Sequence, residues 1–219
     1  ASENGSLIDI ATDFYAIDQV ETTGGQLRCR LESIKGGLGL DLELGPSGLY
    51  QLKNLPGVMR VVDLLIEKKY PINLDQILSG LARFQQLTGL KGRWQILGNQ
   101  PLTIADVAHN EAGIREVLAQ LLSIPAGERH FVLGFVKEKD IHHILPLFPA
   151  DARYYFCQAQ VPRAMDARIL AHEAGLAGLG GVVIPEVNAA LREARNQSAK
   201  NDVIFIGGST FVVSEIETL

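Results

Sequence analysis

The chain has 219 residues, of which 47% are hydrophobic and 21% are charged, and its net charge is −5. This composition is typical of one large or two small globular domains, and it excludes bulk disorder and collagen-like or coiled-coil structure. No apolar run approaches the roughly 20 residues of a membrane-spanning helix, and no basic block accompanies the acidic balance. We therefore expect neither a membrane nor nucleic acid as a partner.

The start of the chain, ASENGSLIDI, has neither the basic nor the apolar region of a signal peptide. The two cysteines, Cys29 and Cys157, are far apart and match no zinc or redox spacing. These features predict reduced thiols and a cytoplasmic location.

The first 50 residues alternate in polarity and contain glycine-rich turn signals. The alternating runs cover residues 13–20, 26–34 and 40–44, and the segments TTGG and GGLG separate them. Such runs are typical of antiparallel strands joined by turns. We therefore predict a strand-rich N-terminal region.

Two helices are predicted to follow. The first covers residues 52–69, has Pro56 near its start and ends in basic residues that suit the helix dipole. The second covers residues 74–86, with Asn73 as its N-cap. The apolar positions of the first helix recur at helical spacing and are Val58, Val61, Val62 and Leu65.

From about residue 94 the pattern changes to strands that alternate with helices. The predicted strands cover 94–97, 101–106, 130–136, 152–157, 180–184 and 201–208, and the helices 111–122, 140–148, 165–175 and 185–197. This alternation predicts an α/β fold with a Rossmann-like, doubly wound and mostly parallel sheet. The helix of residues 165–175 is expected to end at a C-cap glycine. A turn at residues 88–93 (TGLKGR) marks the boundary. Ligands of such sheets bind at the carboxyl ends of the strands, so the residues that follow each strand are candidates for a site.

Polar residues follow the predicted strand 101–106. Asp106 ends the strand, and His109 and Asn110 open the next helix. A helix N-terminus favours anions, and these side chains can orient a ribose, an amine or a carboxylate. Alternatively, Asn110 is only an N-cap and His109 a solvated turn residue. Spacing alone leaves both interpretations open.

The segment Lys137–Asp140 follows the predicted strand 130–136. Its simplest interpretation is the charged first turn of a helix, where Asp140 interacts favourably with the dipole. His142 and His143 are adjacent and therefore point to different helix faces. We expect no metal site from this pair.

Two further strand ends carry candidate residues. Arg163, which follows Pro162, could bind an anion, hold a neighbouring loop, or simply lie at the surface where a helix begins. Gly208 and Ser209 follow the last strand, where a glycine allows close approach of a ligand and the serine hydroxyl can bind it or cap a helix. The sequence GGSTF does not match the G-x-S-x-G nucleophile elbow, so a serine hydrolase is not supported.

These scattered residues also form one set with a recognisable order and spacing. The set comprises Gln51 and Asn54, Gly92-Arg93, Asp106-x-Ala-His109-Asn110, Lys139-Asp140, Pro162-Arg163-Ala164 and Gly208-Ser209. It resembles the folylpolyglutamate synthase/dihydrofolate synthase family, the folate branch of the Mur-type amide ligases. The resemblance covers most of the chain from residue 45 to 215, and its strongest part extends from Gly92 to Asn110. The family usually has glycine where this chain has Val107.

The resemblance implies a chemistry, its cofactors and residue roles. Such ligases use ATP and Mg²⁺ to phosphorylate a folate or dihydropteroate carboxylate, and the amine of glutamate then attacks the acyl phosphate. By analogy, Asn54 contacts the adenine side of ATP, and Arg93 and Asp106 contact the nucleotide, with Asp106 suited to the ribose hydroxyls. His109 and Ser209 hold the incoming glutamate. Positions that match the family without an assigned role are Lys139, Asp140 and Arg163.

No G-x-x-x-x-G-K-[ST] phosphate-binding loop occurs in the sequence. In the resembled family, this loop and the magnesium ligands belong to an N-terminal ATPase domain. We therefore predict that residues 1–88 are the strand-plus-helix tail of that domain and that residues 89–219 are a complete C-terminal domain. The sequence then corresponds to a monomeric fragment that is inactive alone and has no catalytic or metal-binding residue of its own.

Three other interpretations remain. A peptidoglycan-precursor Mur ligase has a related Asp-x-Ala-His motif, but the Lys-Asp, Pro-Arg-Ala and Gly-Ser segments favour the folate branch. A non-catalytic Rossmann-like metabolite-binding module would be supported by G-x-G-x-x-G after a strand, and the sequence has none. A purely structural domain would not need polar residues at successive strand ends.

Overall fold

The computed structural model describes residue 5 and residues 8–23, 26–37, 39–45 and 47–219. They form two compact units, the first up to Leu90 and the second from Lys91 to Leu219. The strands are β1 (Tyr15–Thr23), β2 (Gln26–Ser33), β3 (Leu40–Leu44), β4 (Gln95–Asn99), β5 (Leu102–Asp106), β6 (Arg129–Leu133), β7 (Arg153–Phe156), β8 (Gly181–Val183) and β9 (Val203–Gly207). The helices are α1 (Gln51–Glu67), α2 (Leu74–Ala82), α3 (Phe84–Thr88), α4 (Glu111–Ser123), α5 (Ala167–Leu176), α6 (Val187–Gln197) and α7 (Thr210–Ser214).

The first unit contains the predicted antiparallel strands. They form a three-stranded sheet in the order β1-β2-β3, in which Cys29 pairs with Leu42. Because successive strand residues point to opposite faces, Leu27, Cys29 and Leu31 all lie on the buried face. The prediction of antiparallel strands is therefore confirmed. The predicted turn glycines 24 and 25 and position 38 lie outside the described residues.

The two predicted helices of this unit are three helices in the structure. Asn73 caps α2 as predicted, and it forms a capping box because its side chain and that of Gln76 bond each other's backbone N–H groups. The prediction of a single helix over residues 74–86 is wrong. The helix is interrupted at Arg83, where α2 ends and after which α3 begins. Pro56 lies within α1 as its sixth residue, rather than in the first turn.

The buried face of α1 differs from the predicted one. Leu55 and Met59 are buried and pack against the sheet, whereas Val58 and Val61 are 44% and 56% exposed. The spacing of Val58, Val61, Val62 and Leu65 correctly indicated a helix but not which face contacts the sheet. The reason is that apolar residues occupy more than one side of this helix.

The second unit is the predicted α/β domain with a mostly parallel sheet. Its strand order is β4-β5-β9-β6-β7-β8, and all neighbouring pairs are parallel except β4 with β5. All five residues of β9 are buried, as expected for a central strand covered on both faces. One face packs against α6 and α7 through Ile204, Ile206 and Leu191. On the other face, the Phe131 ring packs between Tyr154 and Phe205.

Three local predictions for this unit are corrected. Residues 140–148 form two short 3₁₀ turns, Ile141–His143 and Leu145–Leu147, because Pro146 has no N–H to continue a helix. The strand predicted for residues 130–136 ends at Leu133. Helix α5 continues past Gly175, and the glycine with positive φ near its end is Gly178.

Candidate functional site

Three parallel strands bring their carboxyl ends together in the second unit. Asp106 at the end of β5 pairs with Gly207 at the end of β9, and Gly207 pairs with Leu133 at the end of β6. The segments that contain His109 and Ser209 follow β5 and β9, so they start from the same edge of the sheet. The sequence predicted candidate residues at both strand ends, and this register makes them neighbours.

Asp106 is 1% exposed and joins two backbone segments. Its Oδ2 accepts a hydrogen bond of 2.7 Å from the N–H of Trp94, and its Oδ1 accepts one of 2.8 Å from Ala108. The N–H of Val107 donates to the carbonyl oxygen of Gly92 over 2.9 Å. The Asp106 carboxylate and the Val107 backbone together therefore hold the residues on either side of Arg93 against the end of β5.

Gly92 is required for this close approach. It has φ +70°, and a Cβ atom there would lie 2.6 Å from Cγ1 of Val107 and 2.8 Å from Cγ1 of Val213. Any larger residue would push the Arg93 segment away from the edge of the sheet. Val107, where the resembled family usually has glycine, is thus part of this contact.

His109 and Asn110 lie at the start of α4. Asn110 is the N-cap, and its Oδ1 accepts from the N–H of Gly113 over 2.8 Å. This contact agrees with the interpretation of Asn110 as an N-cap. The half-buried His109 has its Nδ1 2.9 Å from the carbonyl oxygen of Val107. Because a carbonyl can only accept, Nδ1 carries the proton, and in the neutral ring Nε2 is left as an acceptor.

Ser209 is 4% exposed and begins α7. Its Oγ accepts from the N–H of Phe211 over 3.2 Å, so the capping interpretation is confirmed. Gly208 has φ +90°, and a Cβ atom there would lie 2.8 Å from the carbonyl oxygen of Gly134. The neighbouring backbone therefore leaves no room for a side chain at this position.

The loops after β6 and β7 are joined to each other. Lys137 donates from its backbone N–H to the carbonyl oxygen of Arg163, and from Nζ to that of Pro162. Nε of Arg163 lies 3.1 Å from Oε1 of Glu138, and the guanidinium lies 6.0 Å from the Phe211 ring. The backbone N–H of Glu138 and the Arg163 guanidinium lower the pKa of Glu138. Arg163 therefore holds a neighbouring loop, which is one of its predicted alternatives.

Lys139 and Asp140 continue the first of these loops. The N–H of Lys139 donates to the carbonyl oxygen of Val136, and Oδ1 of Asp140 accepts from the N–H of His142. The helix expected to start here is a 3₁₀ turn, so Asp140 caps a single short turn.

Comparison with known families decides the identity of this domain. A family profile described as "Mur ligase, glutamate ligase domain" matches residues 92–210, which is more than half of the chain. The chain belongs to the Mur ligase family. The match covers Gly92, Asp106, His109 and Ser209.

Two curated relatives of this Mur ligase family chain have names from folate metabolism. A Haloferax volcanii protein named "Probable bifunctional folylpolyglutamate synthase/dihydropteroate synthase" is 28% identical over 182 residues, which are 82% of this chain and 21% of the relative. A Buchnera aphidicola protein named "Dihydrofolate synthase/folylpolyglutamate synthase" is 25% identical over 68% of this chain and 34% of its own length. The chain thus spans between a fifth and a third of these relatives.

Solved structures share the fold of this Mur ligase family chain. The bifunctional folylpolyglutamate synthase/dihydrofolate synthase of Yersinia pestis superposes with a TM-score of 0.67 at 24% identity, over 91% of this chain and 44% of that one. Folylpolyglutamate synthase of Mycobacterium tuberculosis, solved with ADP, gives a TM-score of 0.74 at 21% identity, over 91% of this chain and 46% of that one. The Rossmann-like fold predicted from the sequence is therefore confirmed.

Asn54, the remaining predicted site residue, lies in the first unit. Its exposed side chain donates from Nδ2 to Oε1 of Gln51 over 2.7 Å, near the start of α1. Both side chains line a largely apolar cavity of about 240 Å³. The cavity also contains the buried hydroxyl of Ser47, whose Oγ has no hydrogen-bond partner among the described residues.

One polar cluster of the Mur ligase domain was not predicted from the sequence. Glu128, His130 and Asp202 lie at the amino ends of β6 and β9, the edge opposite Asp106. Asp202 accepts from the N–H groups of Glu128 and Ala199, and Glu128 forms a salt bridge of 2.6 Å with Arg153. With its carboxylates already partnered and an arginine beside it, the cluster does not fit Mg²⁺.

Among the described residues, no helix combines the length and the apolar character that crossing a bilayer requires.

Proposed function

We propose that this chain is the C-terminal part of an ATP-dependent ligase that adds glutamate to dihydropteroate, to folates, or to both through an acyl phosphate. The observation that carries the proposal is the shared edge of β5 and β9, from which the segments of Asp106, His109 and Ser209 start. Membership of the Mur ligase family and the folate-related names of the relatives support the reaction and the substrate class.

The nucleotide is assigned to Arg93 and Asp106 of the second unit and to Asn54 of the first. Asp106 accepts from the N–H groups of Trp94 and Ala108, so it fixes the segment of Arg93. A carboxylate is a hydrogen-bond acceptor, as the hydroxyl groups of a ribose require. The amide of Asn54 offers both a donor and an acceptor, as the edge of an adenine requires.

The incoming glutamate is assigned to His109 and Ser209. With Nδ1 donating to Val107, the neutral His109 ring presents Nε2 as an acceptor, which suits the amine of an amino acid. The Ser209 hydroxyl accepts from Phe211 and retains its hydrogen to donate to a carboxylate. These two groups therefore match the two ends of the amino acid.

ATP and Mg²⁺ would supply the activation of the carboxylate. The residues of this chain fit the nucleoside part of ATP but not its phosphates or the metal. The sequence has no phosphate-binding loop, and the one cluster of possible metal ligands among the described residues lies at the opposite edge of the sheet. We therefore assign the phosphate and metal contacts to an ATPase portion outside these 219 residues. The parent ligase is proposed to be cytoplasmic and monomeric, and the free, buried thiols of Cys29 and Cys157 fit a reducing compartment.

The test is an assay of the full reading frame that contains this chain, with dihydropteroate or folate, glutamate and Mg-ATP as substrates. We expect activity from the full frame and none from the 219-residue chain. We expect Asp106→Ala and His109→Ala to lower kcat/KM at least about 100-fold, whereas the exposed His143→Ala leaves it unchanged. Turnover or tight ATP binding by the chain alone would contradict the proposal. Full activity of both site variants would contradict the assigned roles, and a full frame without activity on dihydropteroate or folate would contradict the folate substrate.

A further inference from the structure

Helix α7 is too short to hold its own position. It consists of five residues, Thr210–Ser214, and the candidate site residue Ser209 is its N-cap. An isolated helix of this length is unstable in water, so contacts with the rest of the domain determine where α7 lies. The direction of the Ser209 hydroxyl therefore depends on what holds this helix.

Apolar packing holds the middle of α7. Val212 and Val213 are buried in the core between the sheet and helices α6 and α7. Val213 also lies against Gly92, where a Cβ atom would come within 2.8 Å of its Cγ1. Such contacts keep the helix on the core, but they are not directional, so they fix its rotation about its own axis less tightly than hydrogen bonds do.

Directional contacts fix the turn that follows α7. Asn188, in the first turn of α6, donates from Nδ2 to the carbonyl oxygen of Glu215 over 2.8 Å, and its Oδ1 accepts from the N–H of Glu217 over 3.1 Å. Nδ2 also donates to Oε1 of Glu186, the N-cap of α6, over 3.2 Å. The amide therefore has partners for its oxygen and for both of its N–H groups. We call the two bonds to Glu215 and Glu217 the Asn188 clamp.

A further bond fastens the same turn to another loop. Oε1 of Glu215 accepts a hydrogen bond from the backbone N–H of Gln160. Gln160 follows β7 and Asn188 follows β8, and these two strands are neighbours in the sheet. Ser209 thus starts from the end of β9, while the other end of α7 is fixed by segments that follow β7 and β8.

We propose that Asn188 is a positioning residue for the incoming glutamate, because the Asn188 clamp fixes α7 and thereby the direction of the Ser209 hydroxyl. This inference rests on the proposed function, in which Ser209 binds a carboxylate of glutamate. Both N–H groups of the Asn188 amide are already donated to protein oxygens, so Asn188 acts through α7 and not by binding glutamate itself.

The clamp affects one substrate selectively. Hydrogen bonds to Asp106 and from Val107 fasten the segment of Arg93, and neither of these two residues belongs to α7. Loss of the clamp therefore leaves the segment assigned to the nucleotide in place and changes the direction of the Ser209 hydroxyl. Because a hydrogen bond weakens steeply as its angle departs from linearity, glutamate is then bound less tightly while ATP is bound as before.

Steady-state kinetics of the full reading frame test the proposal. We expect Asn188→Ala to raise KM for glutamate roughly fivefold or more, and to change kcat and KM for ATP by less than about twofold. Asn188→Asp keeps the size of the side chain and the acceptor for Glu217 but loses the donor to Glu215, so it should cause the same selective rise even if Asn188→Ala folds poorly. The matched control is Asn196→Ala, an exposed asparagine on the same helix, which should leave all three constants unchanged.

A double-mutant cycle shows whether Asn188 acts through Ser209. If it does, adding Asn188→Ala to Ser209→Ala causes no further rise in KM for glutamate, because the group that the clamp positions is already absent. A further rise as large as in the enzyme that retains Ser209, or a parallel rise in KM for ATP, would overturn the inference by showing a general loss of structure. An unchanged KM for glutamate in both Asn188 variants of an active ligase would overturn it too and leave the proposed function intact. A full reading frame without ligase activity would overturn both.

Discussion

His130 is a completely buried histidine at the amino end of β6, and its two ring nitrogens face partners from two other segments. Its Nδ1 lies 3.0 Å from the hydroxyl of Tyr155, and its Nε2 lies 3.4 Å from Oδ2 of Asp202. Glu128 and Arg153 lie beside this network and form a salt bridge with each other. Burial lowers the pKa of the His130 imidazole below its usual value, although the Asp202 carboxylate opposes this shift.

This pKa shift predicts a loss of stability in acid. Since the folded pKa lies below the unfolded value of about 6.5, the unfolded chain binds more protons as the pH falls through this range. The stabilisation from neutral His130 is therefore fully present above the unfolded pKa and is lost as the pH falls towards the folded pKa. We expect His130→Gln to lower the free energy of unfolding at neutral pH and to flatten its dependence on pH between 5 and 7, as measured by urea denaturation.

The matched control is His143→Gln, because the His143 side chain is 74% exposed. That variant is expected to keep the pH dependence of the parent chain. An unchanged slope in His130→Gln would show that the acid sensitivity has another origin.

The sequence predicted individual residues of the candidate site but not the contacts between them. The positions of Asp106, His109 and Ser209 followed from their place after apolar runs and from the family resemblance. That Asp106 bonds Trp94, 12 residues earlier, could not be predicted, because the contact depends on how the Gly92 segment packs. The cluster of His130 and Asp202 was missed because its two members are 72 residues apart in the sequence.

At the scale of elements, helix starts were predictable where one side chain satisfies the free backbone N–H groups. Asn73 and Gln76 form a reciprocal capping box at the start of α2. Because both bonds are local, the residue types and their spacing were enough to predict the cap.

We expect Asn73→Ala to destabilise the first unit by about 1 kcal/mol, since it removes the acceptor for the N–H of Gln76. Denaturant unfolding followed by helical circular dichroism measures this loss. Ser79→Ala, at an exposed position inside α2, is the control and should change stability little. A loss of the same size in both variants would assign the effect to the helix as a whole instead of to the cap.

Element boundaries were less predictable where packing competes with local preference. The 3₁₀ turns at Ile141–His143 and Leu145–Leu147 replace the helix expected from residues 140–148. The side chains of Ile141 and Leu145 are buried, so the segment follows the core surface. Apolar spacing over nine residues could not distinguish these two outcomes, although Pro146 marks a position where an α-helix is interrupted.

At the scale of the whole molecule, each unit has its own hydrophobic core. Leu31 and Leu42 are buried in the core of the first unit, together with Met59 of α1. Leu133 lies in the second unit, completely buried at the end of β6. A chain with two cores is not expected to unfold in a single two-state transition.

We expect Leu31→Ala and Leu133→Ala to destabilise different parts of the chain, each by about 2–5 kcal/mol, because each leaves a cavity in its own core. Hydrogen exchange followed by mass spectrometry measures the effect on each strand. Leu31→Ala should speed exchange in β2 and β3, and Leu133→Ala should speed it in β6 and β9. Faster exchange throughout the chain in either variant would show that the two units unfold as one.

The sequence by itself determined the α/β class, the order of most strands and helices, and which strand ends carry polar residues. These features depend on periodicity, caps and turns, which are properties of neighbouring residues. Only the tertiary structure decided that β9, last in the sequence, lies between β5 and β6 and so makes Gly207 the partner of Asp106. It also decided which face of α1 is buried. Both depend on contacts between residues far apart in the chain, where burial of apolar surface rather than local preference selects the arrangement.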